Sequence, residues 1–229
     1  MSTPESTERL PVFSSELIRL LVGAITFALP VVVWIASSFS PLSSISASYH
    51  TGARDIFVGL LFVLGAFLFA YKGHSGKEYW MANLGSLAAV VAAVCPTTCD
   101  GCQTNTRSIL HLGAGAALFL VTAYFCLWPF RQAARTKPSK EAGRRARFYI
   151  VCGSAIIVCL VVLGIAQATG LGKAWAFTFW AEFFMLWTFS SAWVVAAKWV
   201  PWFTNKDEQL SLSNELELGA LTRLKLWKK

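Results

Sequence analysis

Charge is scarce in this 229-residue chain: Asp, Glu, Lys and Arg together make up 14% of it, against 55% hydrophobic residues. A water-soluble fold needs a far more polar surface, so the composition excludes one. Short runs of alternating polarity are also missing, and with them a transmembrane barrel; the apolar residues fall instead in continuous blocks of helix-spanning length. The polar start MSTPESTERLPVFSSE has no basic stretch leading into a short apolar core, so it does not read as a secretory signal peptide. No internal repeat stands out. The inner halves of the apolar blocks carry almost no ionisable groups, which argues against a polar path for ions or solutes.

What is present is an all-α, polytopic transmembrane helical bundle. Spans are predicted at 17–39, 55–72, 80–96, 108–130, 147–168 and 174–198, the third being the shortest. They divide the chain into a cytoplasmic segment 1–16, a six-helix transmembrane domain 17–200 and a cytoplasmic tail 201–229. The tail's last part, ELELGALTRLKLWKK, suits either an amphipathic helix on anionic lipid or a frayed terminus. Pro30 predicts a kink in the first span rather than a break. The net charge of +8 gathers in one segment, where Arg131, Arg135, Lys137, Lys140, Arg144, Arg145 and Arg147 are opposed by Glu141 alone. That run marks a cytoplasmic loop before it marks a nucleic-acid site, and it places both termini inside. Trp80, Trp128, Trp175 and Trp199, with Tyr71 and Lys72, read as interfacial anchors, and His74 as a solvated residue at the inner end of the second span.

Four ionisable groups share one depth zone near the outer face: His50, Asp55, His111 and Glu182. Two imidazoles and two carboxylates suit zinc or a similar divalent ion. His50, His111 and Glu182 would be ligands, Asp55 a fourth ligand or general base, and water would take the open position for hydrolysis. The same residues also suit structural roles. Asp55 favours the N-terminus of span two or pairs with Arg54 or Arg107, the histidines bond loop backbone, and Glu182 ties two helices together. Neither Glu182 nor His111 is expected to face lipid, and the expected partners of Glu182 are His111, His50 and Arg54. The segment from Cys95 through Cys99 to Cys102 has no second Cys or His pair to close a zinc site. In an oxidising compartment it predicts one intraloop disulfide, Cys95–Cys102 or Cys99–Cys102, with a thiol left over. Cys126, Cys152 and Cys159 read as small apolar packing residues.

The stretch Ser46-Ala-Ser-Tyr49-His50-Thr51-Gly-Ala-Arg54-Asp55, followed by VGLLFVLGAFLFAYKG, resembles a group of uncharacterised bacterial six-helix inner-membrane proteins. The likeness extends to Pro96-Thr97, His111 and Phe179-Trp180-Ala-Glu182. It implies a multi-pass protein of the bacterial inner membrane and carries no activity, and the cysteine-rich loop departs from the group. The element Ser46-x3-His50 with Asp55 is also similar, more weakly, to the CREST superfamily, which includes alkaline ceramidases and the progestin and adipoQ receptors. That resemblance implies a zinc-dependent hydrolase of lipid amides or esters, with Ser46 and Asp55 in the catalytic element. Asp55 follows more closely than the family's pattern, and the late His-x3-His pair has no counterpart, Glu182 standing alone in the final span.

Two function classes follow. One is the metal-dependent lipid hydrolase. The other is a non-enzymatic bundle that holds a lipid or pigment, or packs within a larger membrane complex, through faces such as Phe179, Phe183, Trp187 and Gly113. Membrane lipids are partners in both, and nucleic acid in neither.

Overall fold

The computed structural model describes residues 14–136, 139–170 and 176–211. The N-terminal segment before Ser14, Lys137, Lys173, Trp175 and the tail beyond Ser211 lie outside the described residues. Among the described residues there are six long helices: α1 Ser15–Ala36, α2 Arg54–Ala70, α3 Gly76–Val94, α4 Thr106–Phe125, α6 Lys140–Thr169 and α7 Phe177–Ala196, with a short α5 Arg131–Arg135 continuing α4. No strand occurs among the described residues.

Local chemistry sets most of the helix starts. Ser14 caps α1 by accepting from the Leu17 amide at 3.1 Å, Ser75 caps α3, Asn105 and Ser108 make a reciprocal capping box on α4, and Ser139 caps α6. α1 runs unbroken through Pro30 and stops at Ala36, short of the predicted 39. Its end is fixed where the Ser37 hydroxyl bonds the Trp34 and Ser40 carbonyls and where Ser38 and Phe39 turn left-handed. α4 passes into α5 through a π-helical turn, Cys126–Phe130, which holds Pro129 and accommodates its missing amide donor.

The basic segment corrects the sequence reading most plainly. Rather than a loop from 131 to 147, it is helical on both sides, and α6 begins at Lys140, seven residues before the predicted 147. Ala, Arg, Lys and Glu are strong helix formers and Ser139 supplies the cap, so this run needs no apolar burial to start a helix.

Each helix packs on its chain neighbours and α7 closes onto α1, giving a ring in the order α1, α2, α3, α4, α6, α7. Close approach depends on small residues. A Cβ on Gly23 would lie 2.6 Å from Val194 of α7, and the Ser190 hydroxyl bonds the Gly23 carbonyl at 2.8 Å. A Cβ on Gly153 would lie 2.5 Å from Leu127, where α6 crosses the π-helical turn. Among the described residues four helical stretches are long and apolar enough to cross a membrane: Ser15–Ala36, Thr106–Arg135, Lys140–Thr169 and Phe177–Ala196. Of the six predicted spans, α2 and α3 do not reach that mark. α2 has 17 residues, about 26 Å at 1.5 Å per residue, and α3 opens on Lys77 and Glu78.

Candidate functional site

Polar side chains gather at both ends of the ring. One end, here the cap end, carries the loops 37–53 and 95–105; the other, the basic end, carries α5, the start of α6 and the residues after α7.

At the cap end the loop after α1 contains a 3-10 turn, Ser46–His50. Glu182, five residues into α7, reaches its start: one carboxylate oxygen accepts from the Ile45 amide at 2.7 Å and the Ser46 amide at 3.3 Å, and the Ser46 hydroxyl donates to the other at 3.5 Å. A carboxylate from a distant helix thus caps the turn, where free amides and the local dipole favour negative charge. The expected partners His111, His50 and Arg54 are replaced by backbone N–H groups, which satisfy the charge without a second ionisable side chain.

His111, buried in α4, donates from Nδ1 to the carbonyls of Ala92 at 2.9 Å and Cys95 at 2.7 Å. These carbonyls end α3 and have no partner within that helix, so the imidazole caps its C-terminus. His50 Nε2 donates to the Thr97 carbonyl at 2.7 Å. Because both acceptors are carbonyls, the proton sits on Nδ1 of His111 and Nε2 of His50. The two histidines therefore grip the 95–97 segment together. Asp55 is exposed in the first turn of α2, and Arg54 lies over the Tyr49 ring at 4.8 Å.

The structure so brings together Glu182 with Ser46, and His50 with His111 around one loop, while Asp55 stands apart on the surface. Among the described residues no group of three or more His, Cys, Asp or Glu is placed to hold a metal ion. Beside His50 a recess of about 410 Å³ is lined by residues that include Leu42, Ala47, Thr51, Thr98 and Asp100. Of the two disulfide pairings, Cys99 and Cys102 are the close pair, with Cα atoms 5.2 Å apart, and Cys95 is free. Non-reduced peptide mapping from native membranes is expected to recover Cys99 and Cys102 in one linked peptide, with Cys95 alkylated. Three alkylated thiols would place this loop in a reducing compartment and reverse the bundle's orientation.

The basic end holds the residues that sequence reading missed. Arg19 of α1 is only 4% exposed. Its guanidinium donates to the Tyr71 hydroxyl at 2.8 and 3.1 Å, to the Ala196 carbonyl at 3.2 Å and to His74 Nδ1 at 3.2 Å, and it stacks 5.4 Å from both the Tyr71 and Phe130 rings. Tyr71 passes its own proton toward Glu78 at 3.3 Å, and Glu78 also accepts from the His74 amide at 3.2 Å. Tyr71 is fully buried, which corrects its reading as an interfacial anchor: its hydroxyl has two charged partners and its ring packs on Phe125 and Trp193. Trp80, Trp128 and Trp199, by contrast, are exposed as the anchor reading requires. The signal for Arg19 was present, since an arginine inside an apolar helix must find acceptors.

Nearby, Arg145 of α6 donates to the Phe203 carbonyl at 2.8 Å and to Glu208 at 3.2 Å, tying the chain after α7 to the ring. Lys198, 3.7 Å from Glu16, adopts φ 59°, the left-handed position after a helix where glycine is usual. Holding a residue with a Cβ there costs about 1 kcal/mol.

A third feature runs along the α1/α7 seam. Phe27 stacks on Trp187 at 4.8 Å, followed by Phe183 at 4.9 Å, Trp180 at 5.6 Å, Trp34 at 5.8 Å and Phe39 at 5.4 Å, each measured from the ring before it. Phe27, Phe39, Trp180 and Trp187 in this series are exposed, whereas Phe179 is fully buried inside the ring. Gly113 is open on the outer face of α4 with nothing near a Cβ position. Compared with family models, curated proteins and solved structures, the chain matches none.

Proposed function

We propose that the chain is an integral inner-membrane protein of six spans, with both termini and the basic end on the cytoplasmic side, and that it holds lipid rather than transforming it. The resemblance of the Ser46–Asp55 stretch to six-helix inner-membrane proteins supports the location, and the concentration of Arg and Lys at one end supports the orientation. The observation that carries the lipid reading is the seam: a continuous file of rings on the ring's outer surface, four of them exposed, where flat aromatic faces can bind acyl chains or an isoprenoid ligand by dispersion. The hydrolase reading has less to draw on, since Glu182, His50 and His111 are each engaged with backbone groups.

Extraction of lipids from full-length protein purified in mild detergent tests this. Wild type is expected to retain a bound lipid that the Phe27→Ala/Trp187→Ala double variant loses several-fold, at equal helical content. Equal retention by both proteins would reject the reading. So would stoichiometric zinc together with turnover of a lipid amide or ester.

A further inference from the structure

At the basic end three cations converge on one small cavity. It measures about 40 Å³ and is lined by Arg19, Arg145, Lys198, Tyr149 and Phe130, with alanines closing the rest. The cations come from three separate elements, α1, α6 and the residue pair after α7, and no carboxylate lines the space. Their acidic partners, Glu16 and Glu208, reach them from outside the lining. Arg19 and Arg145 are 4% and 6% exposed, so their charges act in a low-dielectric setting, and the equally buried Tyr149 side chain borders the same space. The mouth lies at Ala133 and the partly exposed Lys198.

We infer that this cavity binds a phosphate group, carried by an anionic lipid of the adjoining leaflet. The volume is a few times the roughly 10–15 Å³ that one water needs, which matches the oxygens of a single phosphate and leaves the rest of a headgroup outside. The guanidinium charges of Arg19 and Arg145 attract phosphate oxygens although most of their N–H groups are engaged within the protein, and a lysine adds a point charge at the mouth. The left-handed backbone of Lys198 points the same way. A glycine would take that conformation freely, yet the position holds a cation, as expected where the side chain rather than the turn is needed. The exposed Trp199 and Trp202 beside it set the depth at which lipid phosphates lie, which favours a lipid over free phosphate as the source. The inference rests on the lipid-holding reading for its ligand class but uses a site separate from the aromatic seam.

Titration of full-length protein in detergent, followed by native mass spectrometry, distinguishes the outcomes. Phosphatidic acid is expected to bind saturably, about tenfold or more tighter than phosphatidylcholine, and millimolar inorganic phosphate to compete with it. Lys198→Gly should weaken phosphatidic acid binding about tenfold while leaving the unfolding temperature equal or higher, because glycine relieves the left-handed turn. Tyr149→Phe should weaken it by a smaller factor, and Arg135→Gln/Arg147→Gln, on the exposed basic surface, should change it less than about twofold. Unchanged affinity in Lys198→Gly, or an equal loss in the surface double variant, would overturn the site. Binding of inorganic phosphate with no preference among lipids would overturn the lipid source. Failure here with the seam variants still losing lipid would leave the lipid-holding reading standing, so the two are told apart.

Discussion

Replacing Glu182 by leucine is expected to destabilise the protein by about 3 kcal/mol, the sum of two backbone amides and one hydroxyl that lose their acceptor at roughly 1 kcal/mol each. The amides belong to Ile45 and Ser46, and Ile45 is itself part of the buried core, so water cannot freely replace the lost carboxylate. Leucine fills a similar volume, and the loss therefore reports hydrogen bonding and charge rather than a cavity. Glu182→Gln keeps one carbonyl oxygen for the Ile45 amide and should cost about 1 kcal/mol, because a charge-assisted bond is roughly twice a neutral one. Thermal unfolding in detergent checks the order wild type, glutamine, leucine. Hydrogen exchange adds a local readout, since the amides of 45 and 46 should open first in the leucine variant. Wild-type stability in Glu182→Leu would mean that the 3-10 turn holds without its cap.

The two polar ends differ in how far they could be read from the sequence. Glu182 stood out because a lone carboxylate in AFTFWAEFFMLW has to be compensated, and that much is a property of residue type. Its partner was not legible, because the donors are backbone N–H groups of a turn whose existence depends on the chain folding back over α7. For His111 and His50 the sequence offered loop backbone as one of two kinds of partner, but not which carbonyls, since every residue carries one. Side-chain chemistry is visible in a sequence and backbone chemistry is not, so the sequence left a metal site and backbone contacts of the histidines standing side by side and could not choose between them. The helix boundaries failed for a related reason. Apolar length marks where a helix can cross lipid, while α6 starts in the polar run Lys140–Arg147 on propensity and a serine cap, with no hydrophobic signal. Arg19 was overlooked because it lies within two turns of a predicted span end, where snorkelling normally explains a cation; its burial follows only from the closing of α7 and α2 around it.

Arg19 is also the residue whose loss should cost most. Arg19→Met keeps the length and apolar stem of the side chain but leaves the Tyr71 hydroxyl, the Ala196 carbonyl and His74 Nδ1 without their donor. Its three acceptors are each left without a charged donor at roughly 1–2 kcal/mol apiece, which sums to about 3–5 kcal/mol. Arg19→Lys should recover little of this. An ammonium on a flexible stem cannot reach Tyr71, His74 and the α7 carbonyl at once, whereas the planar fork does so while resting on the Tyr71 and Phe130 rings. Tyr71→Phe is milder, about 1–2 kcal/mol, because it removes the relay hydroxyl but leaves the ring packed on Trp193. If Arg19 acts on Glu78 through that hydroxyl, the two substitutions are not independent, and the double variant should be less damaging than the sum of the singles by about 1 kcal/mol or more. Unfolding temperatures of the four proteins close this cycle. Strict additivity would mean that Arg19 is held by the α7 carbonyl and the ring faces alone, and that the path from Arg19 through Tyr71 to Glu78 is proximity without coupling.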